Sequence, residues 1–141
     1  MPLRAIAYIS HVVLPWDRAS LDALVAKAAE FNAHADVTGI LLFDGQRFLQ
    51  YMEGPEEGVG AAYDRVCISP SHSDLIVLSQ GRLGRRLVPH WRMHWLLADP
   101  GQLRTVAHAQ WMGFIQSERH RESPRSAMEH LLSYRNPDIP A

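Results

Sequence analysis

The sequence predicts one α+β domain, and three observations carry that prediction. Short β-rich runs alternate with amphipathic helical stripes, which is the pattern of a sheet covered by helices. Turn and cap residues fall between those runs rather than inside them. The chain has 141 residues, a length suited to a single core.

The elements follow in order. Residues 3–9 read as a first strand, with Ile6, Tyr8 and Ser10 on one face by the two-residue period. Pro15, Trp16 and Asp17 form a loop. Ser20 is then the expected N-cap, with Asp22 in the first turn, where an acid suits the helix dipole. Leu21, Leu24, Val25, Ala28 and Phe31 make the apolar stripe of a helix ending near Asn32. Residues 37–43 are a β-branched and apolar run, hence a second strand. Asp44-Gly45 is a hairpin signal, and 46–52 is the returning third strand. Gly54-Pro55 is expected to break that strand and open a second helix with Pro at its first position. Val59, Ala62, Tyr63 and Val66 give its stripe, Gly58 and Gly60 weaken it, and Ser69-Pro70-Ser71 stops it. Residues 74–79 are a fourth strand. A loop with Arg82, Arg85 and Arg86 leads to a fifth, 91–97, with Trp91, Met93, Trp95 and Leu97 on one face.

The order is therefore β-α-β-β-α-β-β. Its first six elements give a ferredoxin-like sheet with two helices on one face. A C-terminal helical tail follows. Leu103, Val106, Ala107, Gln110, Trp111 and Phe114 mark one helix, and Ser123-Pro124 with Met128, Leu131 and Leu132 mark a last one. The other face of the sheet needs cover. The tail helix, with Trp111 and Phe114 as anchors, is expected to supply part of it and to support a homodimer or higher homo-oligomer.

Composition narrows the function. The hydrophobic fraction is 47%, the charged fraction 21% and the net charge −1, so no clustered basic footprint for nucleic acid is expected. The apolar runs are too short to span a bilayer, and no membrane association is expected. The N-terminus carries no signal-peptide pattern, and the one cysteine, Cys67, excludes an internal disulfide. A cytoplasmic setting follows as the expectation.

No enzymatic constellation emerges. The eight histidines are scattered, and His90 and His94, four apart, fall at a predicted strand start rather than on the helix that a His-Glu-x-x-His metal pair needs. There is no phosphate-cradling loop and no nucleophile elbow. Cys67, at a helix end, reads as inert core. Polar residues directed inward are more telling: Tyr8, Asn32 and Gln50, together with Gly39, which marks a close backbone or ligand approach inside a strand. Each alone has a structural explanation. A half-buried tyrosine satisfies its hydroxyl, an asparagine ends a helix, and a glutamine faces solvent.

In register, these pieces resemble the BLUF family of blue-light sensors that use flavin. The matching segments are Ala7-Tyr8-Ile9-Ser10, Asn32, Val37-Thr38-Gly39-Ile40-Leu41-Leu42, Phe48-Leu49-Gln50-Tyr51-Met52-Glu53-Gly54, His72 and Trp91-Arg92-Met93. The third from last is similar to the family's Phe-x-Gln-x-x-Glu-Gly and the last to its Trp-x-Met. The family's Asp-x-Arg-His is replaced by Ser69-Pro70-Ser71-His72.

The resemblance implies a photosensor domain at 1–98 and a helical extension at 99–141. It implies a flavin, FAD first and FMN or riboflavin as alternatives, held by Tyr8, Asn32, Gln50, Arg65 and His72. Tyr8 then gives an electron and a proton, Gln50 rearranges its hydrogen bonds, and Trp91 and Met93 pass the change outward. The implied output is an altered contact with a downstream protein, and the chain is not an enzyme. The alternative is a flavin-free or weakly binding relative that serves as an interaction module.

Overall fold

A computed structural model describes residues 3–13, 17–69, 72–88 and 94–108. The elements are β1 (Leu3–Val12), α1 (Arg18–Ala35), β2 (Thr38–Phe43), β3 (Arg47–Pro55), α2 (Glu56–Cys67), β4 (His72–Leu83), β5 (His94–Leu97) and α3 (Pro100–His108). The strands form one five-stranded sheet in the order β4-β1-β3-β2-β5. β1 is antiparallel to β3 and β4, β2 is antiparallel to β3, and β5 is parallel to β2. The predicted α+β, ferredoxin-like arrangement is the one observed, with β3 inserted between β1 and β2.

The two-residue period sorts the core into two halves. Ile6, Tyr8, Leu41, Phe43, Phe48 and Met52 pack against Leu21 and Val25 of α1 and Val59 and Ala62 of α2. Ala5, Ala7, Ile40, Leu42, Leu49 and Tyr51 face the other way, where α3 contributes Leu103 and Val106. β3 is thus covered on both sides, and every residue from Phe48 to Gly54 is buried. A glutamine in such a strand has no solvent-facing option, and Gln50 is 7% exposed.

Several element ends differ from the sequence-based expectation. Asp17, not Ser20, caps α1: its backbone is extended and its carboxylate accepts from the Ser20 N–H at 2.7 Å. That bond holds the Asp17 carboxyl below its ordinary range. The helix runs past Asn32 to Ala35, because Asp36 takes the left-handed conformation (φ 59°) that closes it. In the hairpin, Asp44 bonds the N–H groups of Gln46 and Arg47 through its side chain, and its own N–H meets the Arg47 carbonyl at 3.3 Å. The two-residue loop is therefore Gly45-Gln46, with Gly45 at φ 96°, one position later than expected.

Gly54 does not break β3, and Pro55 is the N-cap of α2 rather than its first residue. β4 extends to Leu83 because pairing with β1 continues from Ser79 through Gly81 opposite Ala5, so Arg82 lies in a strand and not in a loop. Cys67 is exposed, not core, since the apolar stripe of α2 turns away from it. Gly39 does mark a close approach: a Cβ there would sit 2.3 Å from the Tyr51 carbonyl oxygen, so its neighbour is β3 backbone. Pro15, Trp16, Pro70, Ser71, His90, Trp91, Met93, Trp111, Phe114 and the expected last helix lie outside the described residues.

Candidate functional site

A cavity of about 120 Å³ opens between α1, α2 and the sheet. Its walls are apolar: Leu24, Val25, Ala28 and Phe31 from α1, Leu41, Phe48 and Met52 from the sheet, and Ala62 and Val66 from α2. The helical stripes that read as plain core in the sequence line this slot, with the small Ala28 and Ala62 among their larger apolar residues.

Polar groups interrupt these walls. Tyr8, Asn32 and Gln50 are buried, at 2%, 3% and 7% exposure. Tyr8 on β1 is directly opposite Gln50 on β3, and their side chains share a face. The Tyr8 hydroxyl donates a hydrogen bond to the Gln50 Oε1. Burial pushes the Tyr8 phenol well above its ordinary range, and Cys67 and Tyr63 push it further. Tyr8 therefore keeps its proton across the physiological range. Tyr63 meets its ring edge-on at a centroid distance of 6.2 Å.

Arg65, Ser69 and His72 complete the polar lining and are more exposed. The Arg65 guanidinium lies 4.9 Å above the Phe31 ring, a cation–π contact that holds a positive charge in this lining. His72 ties two elements together. Its Nε2 is 3.0 Å from the Val66 carbonyl oxygen, and its Nδ1 is 2.7 Å from Ser10 Oγ. A carbonyl only accepts, so Nε2 carries the proton, and Nδ1 accepts from the Ser10 hydroxyl when the ring is neutral. Burial lowers the affinity of His72 for a second proton, partly opposed by the Val66 bond.

Residues 3–94 match the family model described as BLUF, sensors of blue-light using FAD. The chain belongs to the BLUF family. The blue light- and temperature-regulated antirepressor BluF of Escherichia coli (strain K12) is 38% identical over 76 residues, 54% of this chain and 19% of that protein. The photoactivated adenylate cyclase subunit beta of Euglena gracilis is 29% identical over 140 residues, 96% of this chain and 16% of that protein. The chain spans less than a fifth of the length of either relative. Among solved structures, the BLUF protein BlrB in its dark state superimposes with a TM-score of 0.66 at 20% identity, over 94% of this chain and 91% of that one, a likeness of fold. BlrP1 of Klebsiella pneumoniae with FMN and cyclic diGMP gives 0.65 at 30% identity, over 93% of this chain and 33% of that one.

The cavity of this BLUF chain fits a flavin by its chemistry. A flavin ring has apolar faces, a polar edge of carbonyls and one N–H, and, in FMN or FAD, an anionic tail. The slot offers apolar walls, a buried phenol and two buried amides, and a cation with further polar groups in its lining. Of the residues singled out in the sequence, Tyr8, Asn32, Gln50, Arg65 and His72 meet at this one cavity, while Trp91 and Met93 lie outside the described residues. Ser10 and Phe31 were legible only as members of a strand face and a helix stripe, not as supports of His72 and Arg65. Among the described residues no cluster of His, Cys, Asp and Glu has metal-site geometry, and no helix is long and apolar enough to cross a membrane.

Proposed function

We propose that this BLUF chain is a blue-light photoreceptor that holds a flavin, FAD in the first instance, in the cavity between α1 and α2. The observation that supports this best is the buried, hydrogen-bonded pair of Tyr8 and Gln50 in the lining of an apolar slot. When bound there, a flavin supplies the absorption of blue light and an excited state able to take up an electron and a proton. Tyr8 is the donor of both, since its phenol is protonated and points at Gln50. Asn32 presents one amide donor and one acceptor to the ring edge. Gln50 accepts from Tyr8 through Oε1; a rearranged amide presents its other end, and the polarity of the bond reverses. Arg65 and His72 face the tail, with Ser69 beside them in the lining.

The output is a changed contact with a downstream protein rather than a reaction of this chain. Trp91 and Met93 carry the change outward. The photosensor unit is 1–98, and 99–141 is an extension whose first turns, through Leu103 and Val106, pack on the far face of the sheet. The setting is cytoplasmic and the assembly a homodimer. One observation favours a second reading, a flavin-free interaction module: Ser69 and Ser71 stand where the family carries an acid and an arginine. Purified protein decides between them. A yellow preparation whose extracted cofactor chromatographs as FAD supports the photoreceptor; a colourless one that takes up no added flavin supports the module.

Asn32→Ala is expected to weaken flavin binding without changing the fold. It removes a ring-edge hydrogen bond of about 0.5–1.5 kcal/mol, so the dissociation constant rises about two- to twelvefold. Titration of apoprotein with FAD, followed by flavin fluorescence, measures it. An unchanged constant removes Asn32 from the site.

A further inference from the structure

Glu53 is completely buried, yet it lines no part of the cavity. It lies on the face of β3 opposite Gln50, next to Tyr51 and Leu49 in the alternation. A buried carboxylate is costly unless donors satisfy both oxygens. Four donors converge here. Oε1 accepts from the Tyr51 hydroxyl at 2.6 Å and the Leu87 N–H at 2.8 Å. Oε2 accepts from the Val88 N–H at 2.9 Å and Thr38 Oγ1 at 3.3 Å. The carboxylate also pushes the Tyr51 phenol upward, second to burial as a cause.

Arg86 extends the network. Its Nη1 donates to Thr38 Oγ1 at 3.0 Å, and its Nη2 donates to the Asp36 carbonyl at 2.7 Å and lies 3.1 Å from Asp36 Oδ2. The donors run in one direction, from Arg86 through Thr38 to Glu53. Asp36 is the residue that closes α1, and the next N–H, of Val37, bonds the Asn32 carbonyl at 2.8 Å. The segment 86–88 is therefore tied at once to the end of α1, which carries Asn32, and to β3, which carries Gln50.

We infer that Glu53 and Arg86 form a clamp on the far side of the sheet that fixes α1 and β3 relative to each other and so sets the placement of the Asn32 and Gln50 amides across the cavity. Glu53 is a positioning residue in this arrangement, because it acts through Thr38, Arg86 and β3 and is not itself part of the cavity lining. Its consequence for flavin rests on the photoreceptor reading; the clamp itself does not.

Glu53→Gln is the direct test. Each Glu53 oxygen meets one hydroxyl, which can turn to accept, and one backbone N–H, which cannot, so the glutamine NH₂ opposes a fixed N–H donor in either orientation. Hydrogen exchange on the flavin-free protein is expected to accelerate by about tenfold or more at Leu87, Val88 and also Val37. Val37 is the informative amide, since it contacts neither substituted atom. Arg86→Gln, at a partly buried side chain (18% exposed), is expected to accelerate Val37 as well. Leu103→Ala is the control: it loosens packing on the same face while leaving the four donors in place, and Val37 exchange relative to the global rate is expected to stay as in the wild type. In flavin-loaded protein, Glu53→Gln or Arg86→Gln is expected to displace the dark absorption maximum, and Leu103→Ala is not. Val37 exchange unchanged in both clamp variants, or equally accelerated by Leu103→Ala, overturns the inference. A colourless wild type that takes up no flavin overturns the photoreceptor reading instead and leaves the exchange result to decide the clamp.

Discussion

Tyr8→Phe is expected to keep the flavin and lose the light response altogether. Phenylalanine preserves the ring that packs against Tyr63 and keeps the 2%-exposed position filled, so the cavity retains its walls. What disappears is the hydroxyl, the group that donates to Gln50 Oε1. Loss of that bond costs about 0.5–1.5 kcal/mol of stability, which a folded domain tolerates. The photochemical loss is complete by comparison, because phenylalanine has no ionisable proton and is a far poorer electron donor. The measurement is flavin content together with the absorption change on illumination. Gln50→Leu shares the phenotype, since it keeps the packing and removes the amide. A Tyr8→Phe protein that switches as fully as the wild type contradicts the role given to this pair.

Two glycines in one helix are expected to respond in opposite directions to the same substitution. A Cβ on Gly58 would lie 2.1 Å from the Ala35 carbonyl oxygen, a backbone atom at the end of α1. A Cβ on Gly60 would meet nothing within 4 Å. Gly60→Ala therefore stabilises by about 0.4–1 kcal/mol through the unfolded chain. Gly58→Ala gains the same helix propensity but must push α2 off α1, an overpacking cost of about 1–3 kcal/mol or more. The thermal midpoint is expected to rise by roughly 2–5 °C for Gly60→Ala and to fall by at least about as much for Gly58→Ala. The clash falls beside Asp36, so Gly58→Ala should also weaken flavin binding. Calorimetry of both variants checks the signs; equal shifts would show that α1 and α2 separate freely.

The sheet was legible because its strands alternate and its turns carry Asp, Gly and Pro where connections fall. The ends were less so. Ser20 and Asp17 are both good caps, and only the extended backbone at Asp17 selects it. β4 ran longer than its apolar stretch because pairing with β1, not side-chain pattern, sets where an edge strand stops. Tyr8, Asn32 and Gln50 each have an ordinary structural explanation taken singly; the family resemblance implies that they act together, and pairing β1 with β3 and laying α1 across them gives that convergence its geometry. Glu53 stands inside the Phe48–Gly54 motif, but its role is hidden there: its donors include the backbone of 87 and 88, more than thirty residues away in sequence. Backbone N–H groups leave no mark on a sequence, so a network built on them becomes visible only in three dimensions.

In the proposed photoreceptor this cavity holds a flavin whose surroundings switch through Tyr8 and Gln50. The absorption spectrum of purified protein before, during and after blue light tests it most directly. The account predicts an oxidised flavin spectrum in the dark, a small red shift of the blue band on illumination, and full return in darkness. Bleaching of that band, as a flavin–cysteine adduct produces, or a bound flavin that does not respond to light, would contradict it.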